Sequence, residues 1–249
     1  MELTAEELER YDRQILLLGV EAQLKLKKSK VLVVGAGGLG SVVLLYLAAA
    51  GVGEIVVVDD GVVELSNLNR QVLYDTHDIG KWKVDVAVEK LTRLNPNVSV
   101  KGVKERATED LLDKLVREVD LAIDALDNWE TRFALNRVCV KHRKPLIHAG
   151  VQGFYGQLMV IIPGVTPCLN CILPKKPPEA GKIPVIGPTP AVLGALEANE
   201  AIKILTGVGK PALNKLLVYS GLKMEFTVVE ISRNPNCPVC GGVEREKEG

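Results

Sequence analysis

The feature that most constrains this chain is GAGGLG at residues 35–40, which follows the β-branched run KVLVV and opens a helical pattern. Gly35, Gly37 and Gly40 fit G-x-G-x-x-G, with Gly38 inside the same turn. That spacing serves a tight turn, close backbone approach to phosphates, and a helix N-terminus whose free N–H groups and dipole face negative charge. Asp59 closes the next strand pattern, EIVVVD, 19 residues after Gly40, where a carboxylate accepts hydrogen bonds from ribose hydroxyls. Together these residues specify a nucleotide without saying which one. A glycine turn used only for helix packing, and a dinucleotide used for hydride transfer, are the alternatives that the motif leaves open.

From Lys30 to Gly150 short β-branched runs alternate with helical segments. KVLVVG, EIVVVD, VSVKGV, VDLAIDA and PLIHAG are separated by helices expected from about Leu39, Lys81, Thr108 and Glu130. Such alternation implies right-handed βαβ units and a doubly wound, mostly parallel, Rossmann-like α/β sheet. Ahead of it, residues 4–19 read as one amphipathic helix, with Thr4 and Glu7 at capping-box spacing and Leu8, Tyr11, Ile15 and Leu18 at helical intervals. After Gly150 the pattern changes. VQGFYGQLMVII reads as a strand pair or bent strand, and eight of the 13 prolines fall between Pro163 and Pro190, which predicts a long surface crossover loop. A helix is expected over 191–205, then two strands, LLVYS and MEFTVVEI, and a charged tail.

Composition narrows the setting. Lys plus Arg and Asp plus Glu both number 31 in 249 residues, so the formal net charge is zero and no basic stripe points to nucleic acid. The first 19 residues lack the basic and apolar regions of a signal peptide, and the apolar run near residues 31–58 is broken by glycines, so no membrane span is expected. A cytoplasmic location is the expectation.

Behind Asp59 the chain continues VELSNLNRQ at 63–71 and GKWKVD at 80–85, supplying Ser66, Asn67, Asn69, Arg70 and Lys83. Arg offers a fork of donors and Lys a mobile point charge, the equipment for neutralising a triphosphate during nucleotidyl transfer. Asp124 and Asp127 in DALDN close the fourth strand pattern, at the carboxyl edge where open α/β sheets bind ligands, and a carboxylate facing phosphates there invites Mg²⁺. Taken singly, Arg70 and Lys83 also read as solvated surface charges, and Asp127 as a cap for the following helix. An NAD oxidoreductase would leave this joint arrangement unexplained.

RYDRQ at 10–14, GAGGLG, SNLNRQ at 66–71, GKWKVD, DALDN at 124–128 and two Cys-x-x-Cys pairs, in this order, resemble the MoeB/ThiF family, relatives of ubiquitin-activating adenylation domains. The resemblance runs from about Arg10 to Gly241. It implies one adenylation domain over 1–249, with a helical arm at 1–25, a nucleotide-binding core at 30–150 and a C-terminal part at 151–241. It also implies that Gly38 and Asp59 contact ATP, that Ser66, Asn67, Leu68, Asn69, Arg70 and Lys83 line its phosphates, and that Asp127 and Asn128 place Mg²⁺ and nucleotide. Arg13 resembles an arginine that reaches a phosphate from a second copy, which implies a homodimer. The implied reaction is adenylation of the C-terminal glycine carboxylate of a ubiquitin-like sulfur-carrier protein ending in Gly-Gly, for molybdenum cofactor, thiamine or tRNA thiolation. Activation of another carboxylate, such as one on a modified tRNA, and a non-catalytic scaffold subunit are the rivals.

Cys168, Cys171, Cys237 and Cys240 form two Cys-x-x-Cys knuckles, the tetrahedral thiolate set expected of a closed structural Zn²⁺ site, with free or disulfide-bonded thiols and an iron–sulfur cluster as the alternatives. Residues 172–190, where many relatives carry a cysteine for covalent linkage to the carrier, contain none, so the sulfur donor is expected to be external. Cys139, flanked by Val138 and Val140, reads as an inert core thiol. His77, His142 and His148 are assigned no catalytic role, and Trp82 and Trp129 read as walls of the site.

Overall fold

The computed structural model describes residues 2–178 and 181–243; residue 1, loop residues 179 and 180, and the charged tail at 244–249 lie outside them. The chain builds one eight-stranded sheet. Its strands are β1 (Lys30–Val34), β2 (Glu54–Val58), β3 (Ser99–Val103), β4 (Leu121–Asp124), β5 (Leu146–Gln152), β6 (Tyr155–Ile161), β7 (Lys215–Ser220) and β8 (Glu225–Glu230). They lie in the order β3-β2-β1-β4-β5-β6-β7-β8. Pairing is parallel from β3 across to β5 and antiparallel from β5 to β8. The order reverses between β1 and β4, so the carboxyl ends of those strands open a crevice at the switch point.

Alternate residues of β1 serve the two faces of the sheet. Val31 and Val33 pack on one face with Leu44 and Leu47 of α4 (Gly38–Ala50), Val84 and Leu91 of α5 (Lys83–Leu94), and Leu193 and Ala198 of α9 (Pro188–Thr206). Leu32 and Val34 pack on the other with Leu112 and Val116 of α6 (Glu109–Arg117) and Leu135 and Val138 of α7 (Trp129–Lys141). Both faces are therefore wound by helices, as the alternation of the sequence predicts. No helix among the described residues is long and apolar enough to cross a membrane.

Three local expectations are corrected. Residues 4–19 form α1 (Ala5–Arg10) and α2 (Asp12–Leu18), separated by Tyr11, with α3 (Val20–Lys28) following. Thr4 and Glu7 do form the capping box. The break has a tertiary cause: the Tyr11 ring is buried, and its hydroxyl accepts a 2.8 Å hydrogen bond from Asn95 Nδ2. A one-turn helix, α8 (Leu169–Ile172), interrupts the crossover segment at the first cysteine pair. Helix α9 starts at Pro188 rather than 191, because Pro188 and Pro190 occupy its first turn, where no N–H is needed. The strand pair after Gly150 is a hairpin, β5 to β6, turned through Gly153 at φ 59°.

Candidate active site

The crevice at the switch point is a cleft of about 880 Å³. Gly35, Gly37 and Gly38 enter it from the β1–α4 turn, Asp59 from β2, Ser66, Asn67, Asn69 and Arg70 from the following loop, and Lys83 from the start of α5. Asp127 and Asn128 come from the β4–α7 loop. Motifs far apart in the sequence are thus brought to one cavity.

The glycine turn is braced from several sides. Gly35 has φ +101°, and a Cβ there would collide with the Ala125 carbonyl. Asp59 Oδ2 accepts from Ala36 N at 2.8 Å and Oδ1 from Gly61 N at 2.8 Å. Each carboxylate oxygen keeps a second lone pair, so Asp59 retains capacity for a ribose hydroxyl. Tyr74, which nothing in the sequence pattern singled out, donates its hydroxyl to the Ala36 carbonyl at 2.8 Å. Lys83 is delivered by backbone stitching: Lys83 N donates to Gly61 O at 3.0 Å, beside an isolated bridge between Val62 and Trp82. Arg70 Nη1 is held by Ser66 O at 2.9 Å and Asn69 Oδ1 at 3.2 Å.

Several expected residues have other duties. Gly40 does not line the cleft; it is a packing glycine, because a Cβ there would strike the Gly35 carbonyl. Leu68 also lies outside the lining and packs against the core. Asn67 is buried, and its Oδ1 accepts from Glu64 N at 3.1 Å, bracing the turn as well as facing the cavity. Asn128, rather than Asp127, caps α7, its Oδ1 accepting from Thr131 N at 2.9 Å. Arg13 is exposed on α2 and does not line its own chain's cleft. Trp82 and Trp129, expected as walls of the site, both lie outside the lining, and Trp129 packs edge-on against Phe133.

Asp124 does not face phosphates as its place at the strand end suggests. It is 1% exposed, pairs with His148 Nδ1 at 2.6 Å and Arg132 Nη1 at 3.3 Å, and accepts from Leu126 N at 3.1 Å. Burial pushes its carboxyl up, but the Arg132 charge and the hydrogen bonds from His148 and Leu126 N outweigh that and hold it below the ordinary range. Burial lowers His148 in turn, so its imidazole is disposed to stay neutral. Arg132 itself reaches the cleft lining, one turn into α7. Sequence spacing held no signal for it.

Outside the cleft lining the four cysteine sulfurs lie within 4.8 Å of one another, with Cys168 and Cys237 Sγ at 3.7 Å and Cys171 and Cys240 Sγ at 3.3 Å. Four thiolates about 2.3 Å from a tetrahedral Zn²⁺ would stand roughly 3.8 Å apart, so the set fits a metal ion. Cys139 is fully buried, and burial followed by the field of Asp124 pushes its thiol far up, as an inert core thiol requires.

Residues 11–239 match the ThiF family. The chain belongs to the ThiF family. Among its relatives are the "Sulfur carrier protein adenylyltransferase" of Thermus thermophilus, 45% identical over 100% of this chain and 96% of that protein, and the "Sulfur carrier protein ThiS adenylyltransferase" of Escherichia coli, 42% identical over 94% and 95%. Among solved structures, Escherichia coli MccB with ATP superimposes with a TM-score of 0.82 at 30% identity, over 93% of this chain and 74% of that one. This ThiF-family chain is accordingly an adenylyltransferase, the class for which its full-length relatives are named.

Proposed function

We propose that this enzyme transfers AMP from ATP to the C-terminal glycine carboxylate of a ubiquitin-like sulfur-carrier protein, releasing pyrophosphate. The observation that carries the proposal is the convergence of Arg70, Lys83 and Asp127 with the glycine turn and Asp59 in one cleft. The phosphates lie over the α4 N-terminus at Gly37 and Gly38, with the ribose at Asp59. A carboxylate oxygen of the carrier attacks the α-phosphorus, the bond to the bridging oxygen breaks, and pyrophosphate departs as the acyl adenylate forms. The nucleophile is already ionised at neutral pH, so the chain needs no general base. Arg70 and Lys83 hold the triphosphate in line and stabilise the charge that develops on it. Asp127 would hold Mg²⁺, which when bound supplies further charge neutralisation on the phosphates.

Cys168, Cys171, Cys237 and Cys240 would hold a structural Zn²⁺, closed to solvent ligands because all four positions are protein thiolates. A homodimer would bring Arg13 to the phosphates of the second copy's site; its exposure on α2 beside exposed Leu16 and Leu17 supports this arrangement. With no cysteine in residues 172–190, sulfur comes from an external donor, and the reaction is placed in the cytoplasm.

ATP–pyrophosphate exchange tests the reading, run with Mg²⁺ and with candidate carriers ending in Gly-Gly from the molybdenum cofactor, thiamine and tRNA-thiolation pathways. Exchange that depends on one carrier, and that Asp127→Ala abolishes, is the expected result and names the pathway. ATP binding without exchange on any carrier would overturn it in favour of another carboxylate or a scaffold.

A further inference from the structure

The loop that presents Asp127 is short. Strand β4 ends at Asp124 and α7 begins at Trp129, leaving residues 125–128 to turn from sheet to helix at the rim of the cleft. The backbone of this turn is held at Ala125 N by the Val34 carbonyl at 3.0 Å, at Leu126 N by Asp124 Oδ1 at 3.1 Å, and at Leu126 O by Arg132 Nη2. Arg132 is only 5% exposed. Its Nη1 also donates to Asp124 Oδ2 and to the Ala149 carbonyl, and its guanidinium lies 5.4 Å from the Trp129 ring centre. One planar group thus ties together the end of β4, the middle of β5 and the loop that carries Asp127.

Two observations separate this role from simple stabilisation. Burying a guanidinium costs several kcal/mol that pairing only about balances, and apolar replacements of buried ion pairs are often neutral or stabilising, so the pair is poorly explained by stability alone. The cation is also already matched. Glu197 of α9 is fully buried beside the cluster with neither carboxyl oxygen bonded among the described residues, and burial together with Asp124 pushes its acid well above the ordinary range. Among the described residues, Asp124 is the carboxylate paired with Arg132. The guanidinium is neutralised from beneath and acts by geometry rather than as a free charge for substrate.

We propose that Arg132, anchored by the buried Asp124–His148 pair, is a positioning residue that fixes the backbone of residues 126–128 and so sets where Asp127 meets Mg²⁺ and the phosphates. This rests on the reading of the cleft given above. Removing such a supporting partner typically costs about 10- to 100-fold in metal affinity or activity.

The test is titration calorimetry of ATP into the full chain, in Mg²⁺ and in magnesium-free buffer without chelator, for wild type, Arg132→Ala and Arg132→Lys. Lysine keeps the charge and loses the fork, so it serves as the fold-preserving variant if alanine does not fold. The expected result is about tenfold weaker binding in Mg²⁺ for both variants, unchanged Mg²⁺-free binding, and recovery of Arg132→Ala on adding methylguanidinium. Wild-type Mg²⁺ dependence in the folded variants, or equal losses with and without Mg²⁺, would overturn the proposal. Carrier-dependent exchange is measured in parallel. A wild type that binds ATP with Mg²⁺ but never exchanges overturns the carrier reading and leaves the calorimetric result to decide Arg132.

Discussion

Strand β1 and strand β8 belong to one sheet and have opposite surroundings. Four of the five residues of β1 are buried, and β4 beside it is buried throughout, whereas all six residues of β8 are exposed, including Phe226, Val228 and Val229. Helices close both faces of the parallel half, α9 from the C-terminal part among them. The antiparallel half, joined to it through the β5–β6 ladder, lacks that cover at its outer edge, and Cys168, Cys237 and Cys240 are buried among side chains of α6 and α7. Chemistry is concentrated where the fold is self-sufficient. The outer strand of the antiparallel extension faces solvent.

The comparison can be broken by separating function from stability. Asp127→Ala in the parallel half is expected to lower carrier-dependent exchange by about a thousandfold, near 4 kcal/mol of barrier, with an unchanged melting temperature. Melting together with the activity would tie the site to the fold instead. In the extension the reverse is expected: Cys237→Ala, or stripping with a chelator, should destabilise residues around β7, β8 and the crossover loop by roughly 3 kcal/mol or more, read by hydrogen exchange, while ATP still binds. Uniform loss of protection across β1 and β4 would show that the halves are not separable.

Two substitutions sharpen the contrast in packing. Leu32→Ala on β1 should cost about 3 kcal/mol in denaturant unfolding, because Leu32 is fully buried. Val228→Ala on β8 should stay within about 0.5 kcal/mol. Similar costs would mean that a partner covers β8 in solution.

A smaller, pH-dependent effect lies behind Lys83. Asp78 in the 76–78 turn bonds Lys90 of α5 and Lys81. Burial raises its carboxyl, but the hydrogen bonds from Lys90, Asp75 N and Lys81 outweigh it and lower the pKa to about 2. A folded pKa below the unfolded one adds stability that is present above about pH 4 and is lost as pH falls toward about 2. Asp78→Asn should therefore cost about 2 kcal/mol at neutral pH, with the gap to wild type narrowing below about pH 4 in a pH-resolved unfolding series. A pH-independent gap would assign the effect to packing.

The βαβ core, the glycine turn, Asp59, Arg70, Lys83, Asp127 and the paired cysteines were legible in the chain itself. Each depends on short-range rules: residue period, strand-to-helix punctuation, and the spacing of donors for phosphate or metal. The folded molecule alone decided which of these residues share a cavity, that Gly40 and Leu68 lie outside its lining, that Tyr11 breaks the leading helix, and that Asn128 rather than Asp127 caps α7. It also turned Asp124 inward onto His148 and Arg132, and buried Glu197 beside them. The Tyr11 and His148 contacts join segments tens of residues apart, whose burial and hydrogen-bond partners exist only once the sheet order is set, whereas the Asn128 cap and the Asp124–Arg132 pair are local. A carboxylate at a strand end looks the same in sequence whether it meets a phosphate or a guanidinium, and only the fold supplies the neighbour.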